Sequence, residues 1–537
     1  MEGAEVSMMR RRTVFALAVV GALGSVRLGA DVRFSPETGT DFTARLVAAT
    51  AHLKSGERIV FDRGEYRFGV EGGRRIHLDP SNNASGEKRV AFFLRGLRDI
   101  EIDGGGSTFV FGGGVSPFAI LSCTNVTIRN FTARTERPPY VVFSVGRKEP
   151  DGFNLTLDPG FDDFPLTGRH LCFHSLDRGL QDYYMAPDDP ESRDWVPTRY
   201  LSGKIERRDG QHRFFRYSPE AHKRYSDCRF ETGERVCLNL AGNREQIFCF
   251  AEDGQNICLE DVTLVTFGGM GMVAQRTEDI IVRRLTVRPT PGLPVTLTAD
   301  AMHFINCAGD IRVEACEIAG MLDDACNVHG NYLEVTSVGG RSAMLKVGHF
   351  EQRGFFPYRV GDEIEFVVRH DRRVLKRAKV VAFERMSDAV GRLTADVGLG
   401  DIPVGALVED VTLCPNVTLR DNWFHDFPHV RLSGRGRILM EGNRIERCED
   451  GLVAFDLAEY WYESGRLADL TVRSNVFDRC SSKSGAGPYL RIGLTGYSGT
   501  EDDVPLIHGR VRLDGNRYRG LIGRPFSVFG VRDFDSK

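Results

Sequence analysis

The sequence predicts an all-β protein: a right-handed parallel β-helix carrying two small inserted antiparallel modules of β-barrel-like type. Three observations carry that expectation. A six-residue motif recurs along the chain, its repeats in places follow one another at a fixed short period, and the rhythm stops twice for about a hundred residues.

The motif begins with Asn or Asp, alternates apolar and polar residues, and often closes on Asn, Asp or Gly. It reads Asp99-Ile-Glu-Ile-Asp-Gly, Asn125-Val-Thr-Ile-Arg-Asn, Asn256-Ile-Cys-Leu-Glu-Asp and Asp279-Ile-Ile-Val-Arg-Arg. Further copies are Asp310-Ile-Arg-Val-Glu-Ala, Asn416-Val-Thr-Leu-Arg-Asp, Asp469-Leu-Thr-Val-Arg-Ser and Arg510-Val-Arg-Leu-Asp-Gly. A two-residue period is that of a strand with one buried face. Shorter strands follow within each unit, as at Asp300-Ala-Met-His-Phe, Asp324-Ala-Cys-Asn-Val and Asp450-Gly-Leu-Val-Ala-Phe. From Asn256 to Asp279 the period is 23 residues. A unit of that length cannot bury an apolar face alone. Stacking successive units does so, with rungs roughly 4.8 Å apart.

In chain order, Arg10, Arg11 and Arg12 precede an apolar run from Val14 to Leu23 and small residues up to Ala30. This order predicts a signal peptide over 1–30 and hence an exported protein, periplasmic or secreted, with no transmembrane anchor. Residues 31–139 should hold an N-terminal cap and the first rungs, with helical spacing from Phe42 to Leu53. An open-ended solenoid needs such a cap. The two gaps predict inserted modules over 140–247 and 333–413, the latter from the alternating strands Arg359–Val368 and Ala378–Phe383. Rungs should fill 248–332 and 414–537.

A formal net charge of −4 argues against nucleic acid as a partner, because phosphate binding needs a basic surface. The 12 cysteines lie mostly among apolar strand residues without metal-type spacing, so most are expected to be small core residues. No metal and no cofactor is expected.

Chemistry concentrates between Asp300 and Tyr332. Asp300 and Asp324 each open an Asp-Ala strand, 24 residues apart, so they should occupy equivalent places on neighbouring rungs. Stacked carboxylates repel, which raises the pKa of at least one and lets one acid stay protonated beside an ionised partner. Alternation gives Asp323, Ala325, Asn327 and His329 one parity and Asp324, Cys326 and Val328 the other. The second set looks inward, so a regular strand presents Asp323 to solvent and buries Asp324. Parity alone does not assign the acid and the base. Asp at a solenoid turn also commonly bonds backbone amides, but three aspartates with His303 and His329 nearby point to a catalytic centre. A second candidate is Glu459-Tyr-Trp-Tyr-Glu-Ser-Gly465, in which Trp461 would make a sugar-stacking platform and Glu463 would bond hydroxyls.

At these residues the chain resembles glycoside hydrolase family 110, the exo-acting α-1,3-galactosidases. The text that carries the likeness is Gly268-Gly-Met-Gly-Met-Val-Ala-Gln275, Ala299-Asp-Ala-Met-His-Phe304, Leu322-Asp-Asp-Ala-Cys-Asn-Val-His-Gly-Asn-Tyr332 and Trp461-Tyr-Glu-Ser-Gly465. The resemblance implies Asp300, Asp323 and Asp324 as catalytic carboxylates and inverting, metal-free hydrolysis of terminal α-galactose. Gln275, His303, Asn327, His329, Tyr332, Trp461 and Glu463 are then expected substrate contacts, and galactose-terminated oligosaccharides or polysaccharides the partners. Inversion suits carboxyl groups roughly 6.5–9.5 Å apart. The rivals are a polygalacturonase-like pectin hydrolase and a non-catalytic carbohydrate-binding β-helix. The first is disfavoured because no Gly-His-Gly or Arg-Ile-Lys follows, nor a basic pair for uronic carboxylates.

Overall fold

The computed structural model describes residues 25–28, 31–161, 171–177, 183–184, 196–197, 200–201, 203–218, 230–240, 244, 246–480, 488–494 and 504–537. The expected signal peptide thus lies mostly outside the described residues. Its end, Ser25–Leu28, is a strand paired antiparallel with Asp31–Phe34. Among the described residues no helix is long and apolar enough to cross a membrane.

Parallel strands stack into a β-helix with three walls, right-handed as crossovers between parallel strands almost always are. The recurring motif forms the first wall. Its inward residues run in register from Ile100 and Ile102 through Val126 and Ile128, Ile257 and Leu259, Ile280 and Val282, to Ile311 and Val313. The ladder continues through Val417 and Leu419, Ile438 and Met440, Leu470 and Val472, to Val511 and Leu513. All of these side chains are buried in one continuous core.

The sixth motif residue turns the chain from the first wall to the second, and it takes a left-handed backbone. Asn130 has φ 65°, Asp261 52°, Arg284 51°, Ala315 54°, Asp421 56° and Ser474 57°. Asn, Asp and Gly enter that region at least cost, which explains how the motif closes.

Beyond the turn, the C-terminal half adds a ladder of buried asparagines. Asn422 Nδ2 donates to Asn443 Oδ1 at 2.9 Å, Asn443 to Asn475 at 2.9 Å, and Asn475 to Asn516 at 3.0 Å. Each amide also donates to a backbone carbonyl, of Val313, Leu419, Met440 or Val472. Each oxygen accepts one backbone N–H besides. The N-terminal rungs use aromatic stacking instead: Phe34 on Phe61 at 5.0 Å, Phe92 on Phe118 at 4.4 Å and Phe109 on Phe131 at 4.6 Å between ring centroids. The helix Thr43–Ala51, preceded by the buried Phe42, covers that end.

Both interruptions are antiparallel modules set into rung corners. The first leaves the helix after Thr124–Thr135 and returns at Ile247–Glu252. Among the described residues its larger sheet has seven strands, in the order Tyr200–Leu201, Leu171–Ser175, Arg235–Asn239, Tyr140–Glu149, Gly152–Leu157, His212–Tyr217, Gly203–Arg207. The second grows out of the strand Cys326–Gly339. It pairs in turn with Ser342–Val347, Val390–Ala395, Val374–Arg385, Glu363–Val367 and Leu407–Asp410, which pairs back to Tyr332–Glu334. That closes a six-stranded barrel around its own core, including Val335, Leu345, Ile364, Phe366, Leu393 and Val408.

Cys123, Cys249, Cys258, Cys307, Cys316, Cys326, Cys448 and Cys480 are buried thiols rather than disulfide partners, as their apolar setting predicts.

Candidate functional site

The site forms on the outer face of the third wall, built from Met270–Gln275, Met302–Ile305, the start of Cys326–Gly339 and the end of Trp423–Leu432. One outward ladder reads Val273, His303, Asn327, Arg431; the next reads Glu252, Gln275, Ile305, His329. Asp300 and Asp324 precede the strands on adjacent rungs, tied by Ala301 N–H donating to Asp324 O at 2.9 Å.

The face is not open to solvent. Glu463–Ser464 pairs antiparallel with Gly330–Asn331, and Gly330 is required there because a Cβ would stand 2.4 Å from Ser464 Oγ. The loop from Asp79 to Ala84 crosses from the other side. Ser81 Oγ accepts from Asn331 Nδ2 at 2.9 Å, and Asn82 Nδ2 donates to Glu463 Oε1 at 2.8 Å. Asn327 and His329, outward by parity, are therefore 3% and 4% exposed. Two flanking segments, separated from them by over 100 residues of chain, do the covering.

The two adjacent aspartates divide as parity predicts, with side chains 29% exposed at Asp323 and 6% at Asp324. Arg244 Nη2 donates to Asp323 Oδ2 at 2.7 Å and lies 3.9 Å from Asp300 Oδ1. Arg431 Nε donates to Asp324 Oδ2 at 3.3 Å. Burial and the Asp323 charge push Asp300 well above the usual carboxylate range. Burial pushes Asp324 up to about 8 against the pull of Arg431. Glu463 goes the other way. Burial would raise it, but His329, Arg431, His303 and Arg244 together hold it below its ordinary value.

His303 Nδ1 lies 2.5 Å from Asp300 Oδ2, His303 Nε2 lies 2.7 Å from His329 Nε2, and His329 Nδ1 lies 2.8 Å from Gly330 O. Glu463 Oε1 is 3.5 Å from His329 Nε2. Burial lowers both imidazoles to about 4. The ligating atoms of His303, His329 and Glu463 lie within 4.8 Å of one another, a set of metal-binding type that sequence spacing did not reveal. The fit is poor. Two nitrogens bound tetrahedrally at 2.0–2.1 Å stand roughly 3.3 Å apart, so the 2.7 Å separation is that of a hydrogen bond.

Buried atoms of these rungs without a hydrogen-bond partner in the protein include Asp300 Oδ1, Asp324 Oδ1, Asn327 Oδ1 and Arg431 Nη1. Buried polar atoms are rarely left so, and here they lie on three successive rungs, where a polyhydroxylated ligand would satisfy them.

The structure therefore brings together Asp300, Asp323, Asp324, His303, Asn327, His329 and Glu463. Trp461 stands at the edge, with the Arg244 guanidinium 4.9 Å from its ring centroid and His349 at 4.2 Å. Gln275 is spent on the covering loop, accepting from Ser81 N–H at 2.9 Å and donating to Glu252 Oε1 at 2.7 Å. Tyr332 points away: its hydroxyl donates to Asp456 at 2.7 Å, under the barrel.

Sequence reading finds no basic pair near the aspartates, and here the fold corrects it with Arg244 and Arg431. Arg431 carries a signal, since it aligns with Asn327 once the rung after the barrel is set in register. Arg244 and Asn82 lie in polar segments without pattern.

No family profile matches the chain. Curated relatives extend over most of it. An α-1,3-galactosidase A of Streptomyces avermitilis is 26% identical over 530 residues, covering 91% of this chain and 83% of that protein. One of Shewanella woodyi is 26% identical over 84% of this chain and 76% of its own. An α-1,3-galactosidase B of Bacteroides thetaiotaomicron is 23% identical over 79% of this chain and 70% of its own. Among solved structures, a polygalacturonase of Erwinia carotovora aligns over 95% of this chain and 96% of its own at 8% identity and TM-score 0.41.

Proposed function

We propose that this protein is an exo-acting glycoside hydrolase that removes terminal α-1,3-linked galactose from glycans, with inversion, through Asp300, Asp323 and Asp324. The carrying observation is the convergence of these carboxyl groups in differing electrostatic settings, with buried polar atoms of Asp300, Asp324, Asn327 and Arg431 left unpartnered. Relatives carrying the α-1,3-galactosidase name over most of the chain supply the bond class.

Inverting hydrolysis needs a carboxylic acid at the leaving oxygen and a carboxylate that takes a proton from water on the opposite face. Asp300 and Asp324, one rung apart, and Asp323, more exposed than Asp324 and held by Arg244, provide separate positions for these tasks. His303, Asn327, His329 and Glu463 are the nearest groups for sugar hydroxyls, and Trp461 is an edge platform for an apolar sugar face. Asp300 is 1% exposed, which suits a single terminal residue better than a chain passing through.

The test is a screen of defined galactosides, branched and linear, followed by proton NMR before mutarotation. β-Galactose should appear first. Initial α-galactose would overturn inversion and require one aspartate to act as nucleophile. The second reading, a hydrolase of galacturonides, draws on Arg244 and Arg431, cations that suit a uronic carboxylate. The same screen with galacturonides decides it.

A further inference from the structure

The two histidines of the site have their hydrogens dictated by their neighbours. Gly330 O can only accept, so His329 must carry its proton on Nδ1. Its Nε2 is then a lone pair, and the only group 2.7 Å away is His303 Nε2, which must therefore donate. A neutral His303 with hydrogen on Nε2 has a bare Nδ1, and that atom faces Asp300 Oδ2 at 2.5 Å. With both rings neutral, the chain closes only if Asp300 is the donor.

We infer that His303 and His329 form a directional proton chain, Asp300 O–H to His303 Nδ1, His303 Nε2–H to His329 Nε2, His329 Nδ1–H to Gly330 O, which sets the protonation of Asp300. Both histidines are positioning residues in this role, acting through Asp300. The inference rests on reading Asp300 as a reacting carboxyl group. The neutral resting chain agrees with burial raising Asp300 and lowering both imidazoles.

The same chain gives Asp300 a way to ionise. Its proton passes to His303 Nδ1 while the His303 Nε2 proton passes to His329 Nε2. Asp300 becomes a carboxylate, His303 stays neutral in the other tautomer, and His329 becomes an imidazolium. One charge of each sign is created and no proton leaves. Glu463, 3.5 Å from His329 Nε2 and held ionised, stabilises that imidazolium. The other charged groups facing Asp300 are Asp323, Arg244 and Arg431, and those facing His329 are Glu463 and Arg431.

The test is nitrogen-15 NMR of the imidazoles at pH 7, assigned with His303→Gln and His329→Gln. Expected are two neutral rings, His303 with hydrogen on Nε2 and His329 with hydrogen on Nδ1. Asp300→Asn should preserve both tautomers, because its amide N–H donates where the carboxylic acid does, although the variant loses activity. His329→Gln can accept from His303 and donate to Gly330 but cannot take a proton. It should lower kcat about tenfold or more and shift the pH profile of kcat. A cationic His303 or His329 in the resting protein, the opposite tautomers, one metal ion per chain on the two Nε2 atoms, or an unaltered kcat and pH profile in His329→Gln would each overturn the inference. Expected tautomers in a protein that releases no galactose would instead fault the functional reading and leave the chain standing.

Discussion

Asp323 and Asp324 are joined by one peptide bond, yet the bend ahead of Cys326–Gly339 turns them into different environments. Asp323 sits at the solvent side on Arg244, and Asp324 sits under it beside Arg431. Replacing Asp300, Asp323 or Asp324 by Asn should lower kcat at least about a hundredfold, the usual worth of a positioned acid or base. Galactose release by the folded variants checks this. Asp324 also makes a stability prediction. Its ordinary value is 3.8 and burial raises it to about 8 in the folded protein. Between those values the folded chain holds a proton that the unfolded chain has released. Its contribution to stability is thus present below about pH 4 and lost as pH rises through about 8. Asp324→Asn should flatten that part of the profile, read as thermal midpoints at pH 5 and pH 8.5; an unchanged slope refutes it. Parity made the division of Asp323 and Asp324 legible in sequence. It could not show Arg244 or Asn82, because their approach depends on how an inserted module and a loop return to the wall.

At the scale of the element, the motif foretells most first-wall strands, since alternation is a local property; Arg437–Glu441 and Val531–Ser536 lie on the same wall outside its copies. Its last position marks a left-handed turn, and Arg284 and Ala315 occupy that conformation without the help Asn or Gly would give. The asparagine ladder was present in the sequence as the residue after that turn, at Asn422, Asn443, Asn475 and Asn516, but irregular spacing hid it. Asn443 is 1% exposed and bonds to rungs on both sides. Asn443→Ala should cost at least about 2 kcal/mol, because it strands the amides above and below it. Asn516→Ala, half-buried at the open end, should cost clearly less. Denaturant midpoints compare the two, and equal losses would deny the ladder its role.

For the whole molecule, the barrel is fastened to the β-helix by buried charge as well as by chain continuity. Arg372 is fully buried and donates from Nε to Asp456 Oδ1 at 2.6 Å, on the carboxylate that also takes the Tyr332 hydroxyl. Arg435 and Arg466 of the helix reach Glu365 and Glu409 of the barrel. Removing one partner of a fully buried pair leaves an uncompensated charge, so Arg372→Ala should cost about 3–5 kcal/mol. The strand Cys326–Gly339 passes straight from wall to barrel, so kcat should fall with stability, whereas an exposed mid-strand change such as Val381→Thr should alter neither. Calorimetry with kinetics on both variants checks this. The barrel was readable as alternating strands, whereas its docking was not, because Arg372 and Asp456 are 84 residues apart with no shared pattern.

The asparagine ladder has one more effect, on how the chain comes apart. One side-chain N–H of each of Asn422, Asn443 and Asn475 donates to the amide oxygen of the next rung, so these bonds run in one direction and each polarises the next. Opening the last rung leaves Asn475 with an unmet donor, and opening the next does the same to Asn443. Fraying from the free end is penalised at every step rather than once. The C-terminal rungs should then exchange their amide hydrogens as one cooperative block, at a common rate, instead of in a gradient that quickens toward Lys537.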